Sequence, residues 1–182
     1  MFSRLLEPHS GILFRAHGGV TEQPVTLAKL HESDIDEHNS PVYQHKEELY
    51  RARLRSGHMH MGVKDCGRVV HYFWASPPGS KVRLLWGLDY TVPKGEWYSW
   101  DGFTDPAFRN RGLMQKAKMS FRSQLSADES IVSAVQASNA PSIAALKRAG
   151  FKIVKTYSGV LLLRRLYIIR YGRRLRVGLG AF

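Results

Sequence analysis

Residues 103–114 form a basic, glycine-containing segment between a predicted strand that ends at Pro106 and a predicted helix that begins at Gly112. The first N–H groups of a helix lack intrahelical partners and that end is partly positive, so it can bind phosphate. Gly112 permits close approach of the backbone, and Arg109 and Arg111 add charge-assisted contacts. The segment therefore predicts a phosphate-binding turn, although the pattern also suits an ordinary basic turn between strand and helix.

A second segment, residues 139–151, has the sequence of a well-delimited helix. Asn139 is a favoured N-cap residue, Pro141 suits a first turn, and Gly150 suits the position after the last turn. A helix is predicted over Ala140–Ala149.

Together the two segments resemble the GNAT (N-acetyltransferase) superfamily. Its pyrophosphate loop is written Q/R-x-x-G-x-G/A, and Arg109 and Gly112 occupy its first two defined positions. Met114 stands where the family prefers a small residue, which is a departure. The family's later motif, N-x-x-A-x-x-L-Y-x-K-x-G-F, is matched by Asn139, Ser142, Gly150 and Phe151.

The resemblance implies that acyl-CoA lies between two splayed central strands, with its diphosphate on the helix that begins near Gly112. Asn139 would bond to the cofactor arm or fix the following helix as its N-cap; both interpretations stay open. The residues that the resemblance implies for cofactor binding are Phe103, Thr104, Asp105, Arg109, Arg111, Gly112, Leu113, Met114, Gln115 and Asn139.

Acyl transfer to an ammonium group needs a general base. Asp101 is the first candidate, because the aromatic residues around it would desolvate a carboxylate and raise its pKa. Glu96 is the second candidate and Asp105 the third. Many GNAT proteins place a tyrosine acid where this sequence has Leu146. Tyr157, or water, would then protonate the leaving thiolate.

The charge distribution favours a polyanionic partner. The chain of 182 residues has a formal net charge of +12, and no acidic residue follows Glu129, whereas ten Lys and Arg residues do. The basic segment 160–182 suits peripheral contact with an anionic membrane or a solvated tail. One cysteine, no signal peptide and no long apolar run predict a cytoplasmic protein, peripheral at the inner membrane face at most. His58 and His60 share a strand face without a third ligand, so no metal site is predicted.

The predicted fold class is α/β (α+β), a single GNAT-like domain over residues 1–182 with a mixed, mostly antiparallel sheet. The predicted strands are Ile12–Ala16, His58–Lys64, Arg68–Ala75, Val82–Trp86, Glu96–Thr104, Ile131–Gln136, Phe151–Tyr157 and Val160–Ile169. The predicted helices are Thr26–Asp36, Tyr43–Ser56, Gly112–Gln124 and Ala140–Ala149.

These features predict an acyltransferase that moves a short acyl group, such as acetyl, from acyl-CoA to an amine by direct attack in a ternary complex. Residues 98–106 resemble bacterial GNAT proteins of surface-polysaccharide and amino-sugar pathways, which implies an amino sugar or a related envelope-glycan precursor as the acceptor. Acyl transfer to oxygen stays open as an alternative. Two alternatives stay open: a non-enzymatic basic module that binds membrane or, less expected, nucleic acid, and a GNAT fold that binds acyl-CoA without catalysis.

Overall fold

Ten strands and four helices make up the part of the chain that the computed structural model describes, namely residues 6–36, 46–84, 89–162 and 165–171. In chain order they are β1 Leu6–His17, β2 Ala28–Leu30, α1 Glu32–Asp36, α2 Glu47–Arg55, β3 Met59–Asp65, β4 Arg68–Ser76, β5 Lys81–Arg83, β6 Asp89–Thr91, β7 Glu96–Thr104, α3 Leu113–Ser123, β8 Ser130–Gln136, α4 Ala140–Arg148, β9 Lys152–Leu162 and β10 Arg165–Tyr171.

Eight of these strands form one mixed sheet in the order β10-β9-β1-β8-β7-β4-β3-β2. Neighbouring strands are antiparallel except β7 and β8, which are parallel and are connected through α3. This parallel pairing stops at Ser99 and Ser133, although both strands continue. The predicted mixed sheet with splayed central strands is therefore confirmed.

Both faces of the sheet are covered by apolar contacts. The alternation of a strand explains this, since Phe73 of β4 points to one face while Tyr72 and Trp74 point to the other. Phe73 packs edge-on against Phe121 of α3, with ring centroids 5.6 Å apart. On the opposite face, Tyr50 of α2 packs against Trp74. The site therefore lies in a sheet that is held from both sides.

The structure corrects several element predictions. Thr26–Asp36 is not one helix: Ala28–Leu30 pairs with β3 as a strand, because Leu30 becomes fully buried there, and only Glu32–Asp36 is helical. The predicted strands Phe151–Tyr157 and Val160–Ile169 are observed as β9 and β10, with the break between them further along the chain. The break comes later because β9 stays paired with β1 as far as Leu162.

Some predictions fall partly outside the described residues. These are the start of the helix Tyr43–Ser56, the end of the strand Val82–Trp86, and most of the basic segment 160–182, whose side chains also lie outside. Within the described residues, no helix is both long and apolar enough to cross a membrane.

Strands β1 and β9 approach closely at Gly11, which pairs with Tyr157. A Cβ atom added to Gly11 would lie 2.3 Å from the Cζ atom of the Tyr157 ring. The absence of a side chain at Gly11 therefore makes room for this buried ring.

Gly11→Ala should lower the free energy of unfolding by about 1–3 kcal/mol, because the added methyl group overpacks the contact with Tyr157. Urea unfolding followed by circular dichroism measures this change. In a Tyr157→Leu background, Gly11→Ala should lower the free energy of unfolding by a clearly smaller amount. Equal costs in the two backgrounds would show that the ring does not cover Gly11.

Candidate functional site

The central opening of the molecule begins where β7 leaves β8. Phe73 of β4 faces two residues of β7, Asp101 and Gly102, so β7 carries a bulge at this point. Asp101 has a φ of 44°, in the left-handed region that non-glycine residues rarely adopt. The bulge bends β7 away after Ser99 and exposes backbone groups that pairing with β8 would otherwise use.

Two adjoining cavities, of about 210 Å³ and 510 Å³, fill this opening. The smaller one lies between β7 and β8, and the larger one extends to the beginning of α3. The residues that line both are His71, Gly102, Met114, Asn139 and Ser142. We call the two together the cleft.

The outer end of the cleft has the features of an anion site. Gly112, at a φ of 70°, precedes α3 without any side-chain cap, and the N–H groups of the first turn have no intrahelical acceptors. A Cβ atom on Gly112 would meet nothing closer than the Lys116 Cε atom at 3.8 Å, so space above the turn is open. Arg109 lines this end, and Arg148 of α4 lines it from the other side.

The loop before α3 is held by its own contacts. The Asp105 carboxylate accepts a hydrogen bond from the Ala107 N–H at 2.9 Å and pairs with Arg68 at 2.6 Å. Arg109 Nε donates to the Thr104 carbonyl at 3.3 Å, and the Arg111 guanidinium lies over the Phe108 ring. Asp105 thus shapes the turn that presents Arg109.

Most of the predicted cofactor-binding residues lie together along the cleft. Those in its wall are Phe103, Thr104, Arg109, Gly112, Leu113, Met114, Gln115 and Asn139. Asp105 and Arg111 are not among the lining residues, although both belong to the same loop. Asn139 accepts a hydrogen bond from the Ser142 N–H at 3.1 Å and caps α4. Of its two predicted roles, the structure therefore shows the N-cap role directly. Leu146 is fully buried in the core.

Asp101 lies in a different environment from the one predicted. Its Oδ2 atom is 2.5 Å from an Arg53 nitrogen and 3.5 Å from the Tyr50 hydroxyl. The Arg53 guanidinium is stacked over the rings of Trp100 and Trp74, at 4.1 and 5.2 Å from their centroids. The carboxylate therefore has a cationic partner rather than a purely apolar surrounding.

The other two predicted catalytic residues lie away from the cleft. Glu96, at the start of β7, pairs with Arg15 at 2.5 Å and accepts a hydrogen bond from the Tyr90 hydroxyl at 3.0 Å. Tyr157 is buried against Gly11. Neither lines either cavity, so the structure does not support these residues as base and acid.

Two buried basic side chains also line the cleft, His71 and Lys118, and sequence reasoning missed Lys118. His71 Nδ1 lies 2.8 Å from the Thr104 hydroxyl, and burial, reinforced by the Lys118 charge, lowers the pKa of His71 to about 3. Burial also holds the pKa of Lys118 well below its ordinary value. Lys118 follows Met114 by four residues, so the helical period alone places it on the same inward face.

The histidines on β3 are packed against aromatic rings. His60 is stacked on Trp74 with centroids 4.3 Å apart, and His58 meets Trp100 edge-on. Among residues 6–36, 46–84, 89–162 and 165–171 no group of three His, Cys, Asp or Glu side chains could hold a metal ion.

Solved structures share this fold. A GNAT-family acetyltransferase from Colwellia psychrerythraea superimposes with a TM-score of 0.61 at 10% identity, over 85% of this chain and 55% of its own. A putative GNAT-family acetyltransferase from Novosphingobium aromaticivorans superimposes with a TM-score of 0.53 at 18% identity. The match covers 85% of this chain and 66% of that protein. A GCN5-related N-acetyltransferase from Sphaerobacter thermophilus superimposes with a TM-score of 0.50 at 12% identity. The match covers 84% of this chain and 51% of that protein.

The chain thus has the GNAT fold and spans less than two thirds of the length of these proteins. Neither a protein-family model nor a curated protein matches the sequence.

The low pKa of His71 should make stability depend on pH. Below about pH 6.5 the unfolded chain binds a proton at this histidine while the folded protein does not until about pH 3, so stability falls as the pH is lowered between these values. The slope contributed is roughly 1.4 kcal/mol per pH unit. Urea unfolding at a series of pH values should show a smaller slope for His71→Asn; identical slopes would contradict a buried neutral His71.

Proposed function

We propose that the chain is an acyl-CoA-dependent N-acyltransferase that transfers a short acyl group, such as acetyl, to an amine. One observation carries the proposal: the two adjoining cavities, which share five lining residues, together extend from the bulge in β7 to the open, uncapped start of α3. An elongated ligand with an anionic end fits this shape, because its anionic group would meet backbone N–H groups and two arginines.

The residues present fit acyl-CoA. Arg109, Arg148 and the N–H groups after Gly112 would hold the diphosphate and phosphate groups, and the β7 backbone from Gly102 to Thr104 would bind the extended arm. When bound, acyl-CoA supplies a thioester whose carbonyl carbon can be attacked by an amine. Met114, at a position where the family prefers a small residue, would contact the bound arm at its side.

Asp101 would take the proton from the attacking amine. Its Oδ2 atom is held by Arg53, which fixes the carboxylate and leaves Oδ1 as the atom that accepts the proton. A carboxylate also attracts an ammonium group electrostatically, which suits an amine acceptor entering beside Trp100. An amino sugar would place a ring against this aromatic side chain. With Leu146 at the usual position of the acid, water would protonate the leaving thiolate.

CoA should raise the melting temperature of the protein, because ligand binding to the folded state stabilises it. Arg109→Glu should weaken CoA binding about tenfold or more, since it replaces a charge-assisted contact with repulsion. Lys94→Glu is the matched control: the same charge change at an exposed site outside the cleft should alter binding little. Stabilisation by an oligonucleotide or by anionic vesicles but not by CoA would instead favour a basic binding module.

Asp101→Asn should lower the turnover of acetyl-CoA with an amine acceptor about 100-fold, because the amide cannot accept the proton. CoA binding, followed by thermal shift, should stay close to that of the wild type. The assay measures free CoA thiol against a panel of amines that includes an amino sugar. Asp65→Asn, at the exposed hairpin turn, serves as the control. Unchanged turnover in Asp101→Asn would remove Asp101 from the mechanism.

A further inference from the structure

Lys118 lies at the point where the central strands separate. Its amine contacts the hydroxyl of Ser99, and Ser99 and Ser133 form the last paired position between β7 and β8. The Nζ atom also lies 3.5 Å from the centroid of the Phe73 ring. Lys118 is therefore part of the wall of the smaller cavity.

Among the residues that the structure describes, no negative charge compensates this buried lysine. Its exposed fraction is 3%, and burial alone accounts for the lowered pKa of its ammonium form. The titratable groups that share the cavity wall are His71 on β4 and Asp101 on β7, while the described parts of β8 and α4 contribute none. His71 is neutral near pH 7 and Asp101 is already paired with Arg53. Burial of the Lys118 side chain thus favours its neutral amine form, which has an available lone pair.

Packing does not require an amine at this position. A fully buried lysine without an ionic partner is rare, and an unbranched apolar side chain such as methionine would fill similar space at lower cost. Its hydrogen-bond partner within the described part of the chain, Ser99, is a neutral hydroxyl. Packing therefore does not explain the amine, which gives the cleft wall a nucleophilic group.

We propose that the Lys118 amine is itself an acyl acceptor, so that the protein acylates its own Lys118 when a short acyl thioester occupies the cleft. The inference rests on the proposed function for the identity of the acyl donor. It adds a modification site on α3 that is separate from the amine acceptor of the transfer reaction.

The step balances without any further reagent. The Lys118 Nζ lone pair attacks the thioester carbonyl carbon, an N–C bond forms, and the C–S bond breaks. The electron pair of that bond leaves with sulfur, and the amine proton passes to the departing thiolate. The products are Nε-acyl-Lys118 and a free thiol. The amide is neutral at every accessible pH, so the modification also removes the unfavourable burial of an ionisable group.

The test is peptide mapping by mass spectrometry after incubation of the full chain with acetyl-CoA. We expect the peptide that contains Lys118 to gain one acetyl group faster than peptides that contain exposed lysines such as Lys116. The rate at Lys118 should rise less steeply with pH between about pH 7 and pH 9, because burial lowers the pKa of its ammonium form. Chemical acetylation of an ordinary exposed lysine should rise roughly tenfold per pH unit there.

Lys118→Met should abolish the fast modification and retain the fold, and Lys116→Met is the matched control on the same helix, which should keep it. The wild-type map tests the inference even if Lys118→Met does not fold. An unmodified Lys118 in protein that CoA stabilises would overturn the inference and leave the proposed function intact.

A further incubation replaces acetyl-CoA with an acetyl thioester of a short thiol that lacks the nucleotide. Modification of Lys118 by this reagent, with no stabilisation by CoA, would overturn the proposed function while supporting the reactive lysine. Slow modification that rises with pH at Lys118 as at Lys116 would contradict a neutral buried amine.

Discussion

The separation of β7 from β8 is the constraint on which the rest of the site depends. Parallel strands normally stay paired, and here the pairing ends at Ser99 because the bulge at Asp101 and Gly102 turns β7 toward β4. The backbone groups freed by this divergence line an opening through the sheet. The connections that follow β7 and β8 both begin at that opening. For this reason α3 and α4 can each place their amino end there.

Local sequence signals predicted the framework of the site well. The basic loop, the glycine before α3 and the Asn–Pro start of α4 act through short-range geometry, so Gly112 and Asn139 are placed where the pattern predicts them. The hairpin at Asp65–Gly67 is equally local. The prediction of one helix over Thr26–Asp36 is wrong for Ala28–Leu30, because the pairing of this strand with β3 depends on partners thirty or more residues away.

The chemistry inside the cleft depends on contacts that spacing cannot reveal. Arg53 reaches Asp101 from α2, 48 residues away in sequence, and this ion pair replaces the apolar setting predicted for the carboxylate. Glu96 lies on the same strand as Asp101, yet the strand carries it to the far end of the sheet beside Arg15. The helical period places Lys118 on the same face of α3 as Met114, but only the tertiary structure shows that its amine lies against Phe73.

Arg122, in the last turn of α3, connects this helix to two other elements. Its Nε atom donates to the His17 carbonyl at the end of β1, and its Nη1 atom donates to the Ala149 carbonyl just after α4. A side chain on Gly150 would collide with this guanidinium at 2.8 Å. Arg122 therefore holds the carboxyl end of α4, which carries Arg148 into the cleft wall, against α3 and the end of β1.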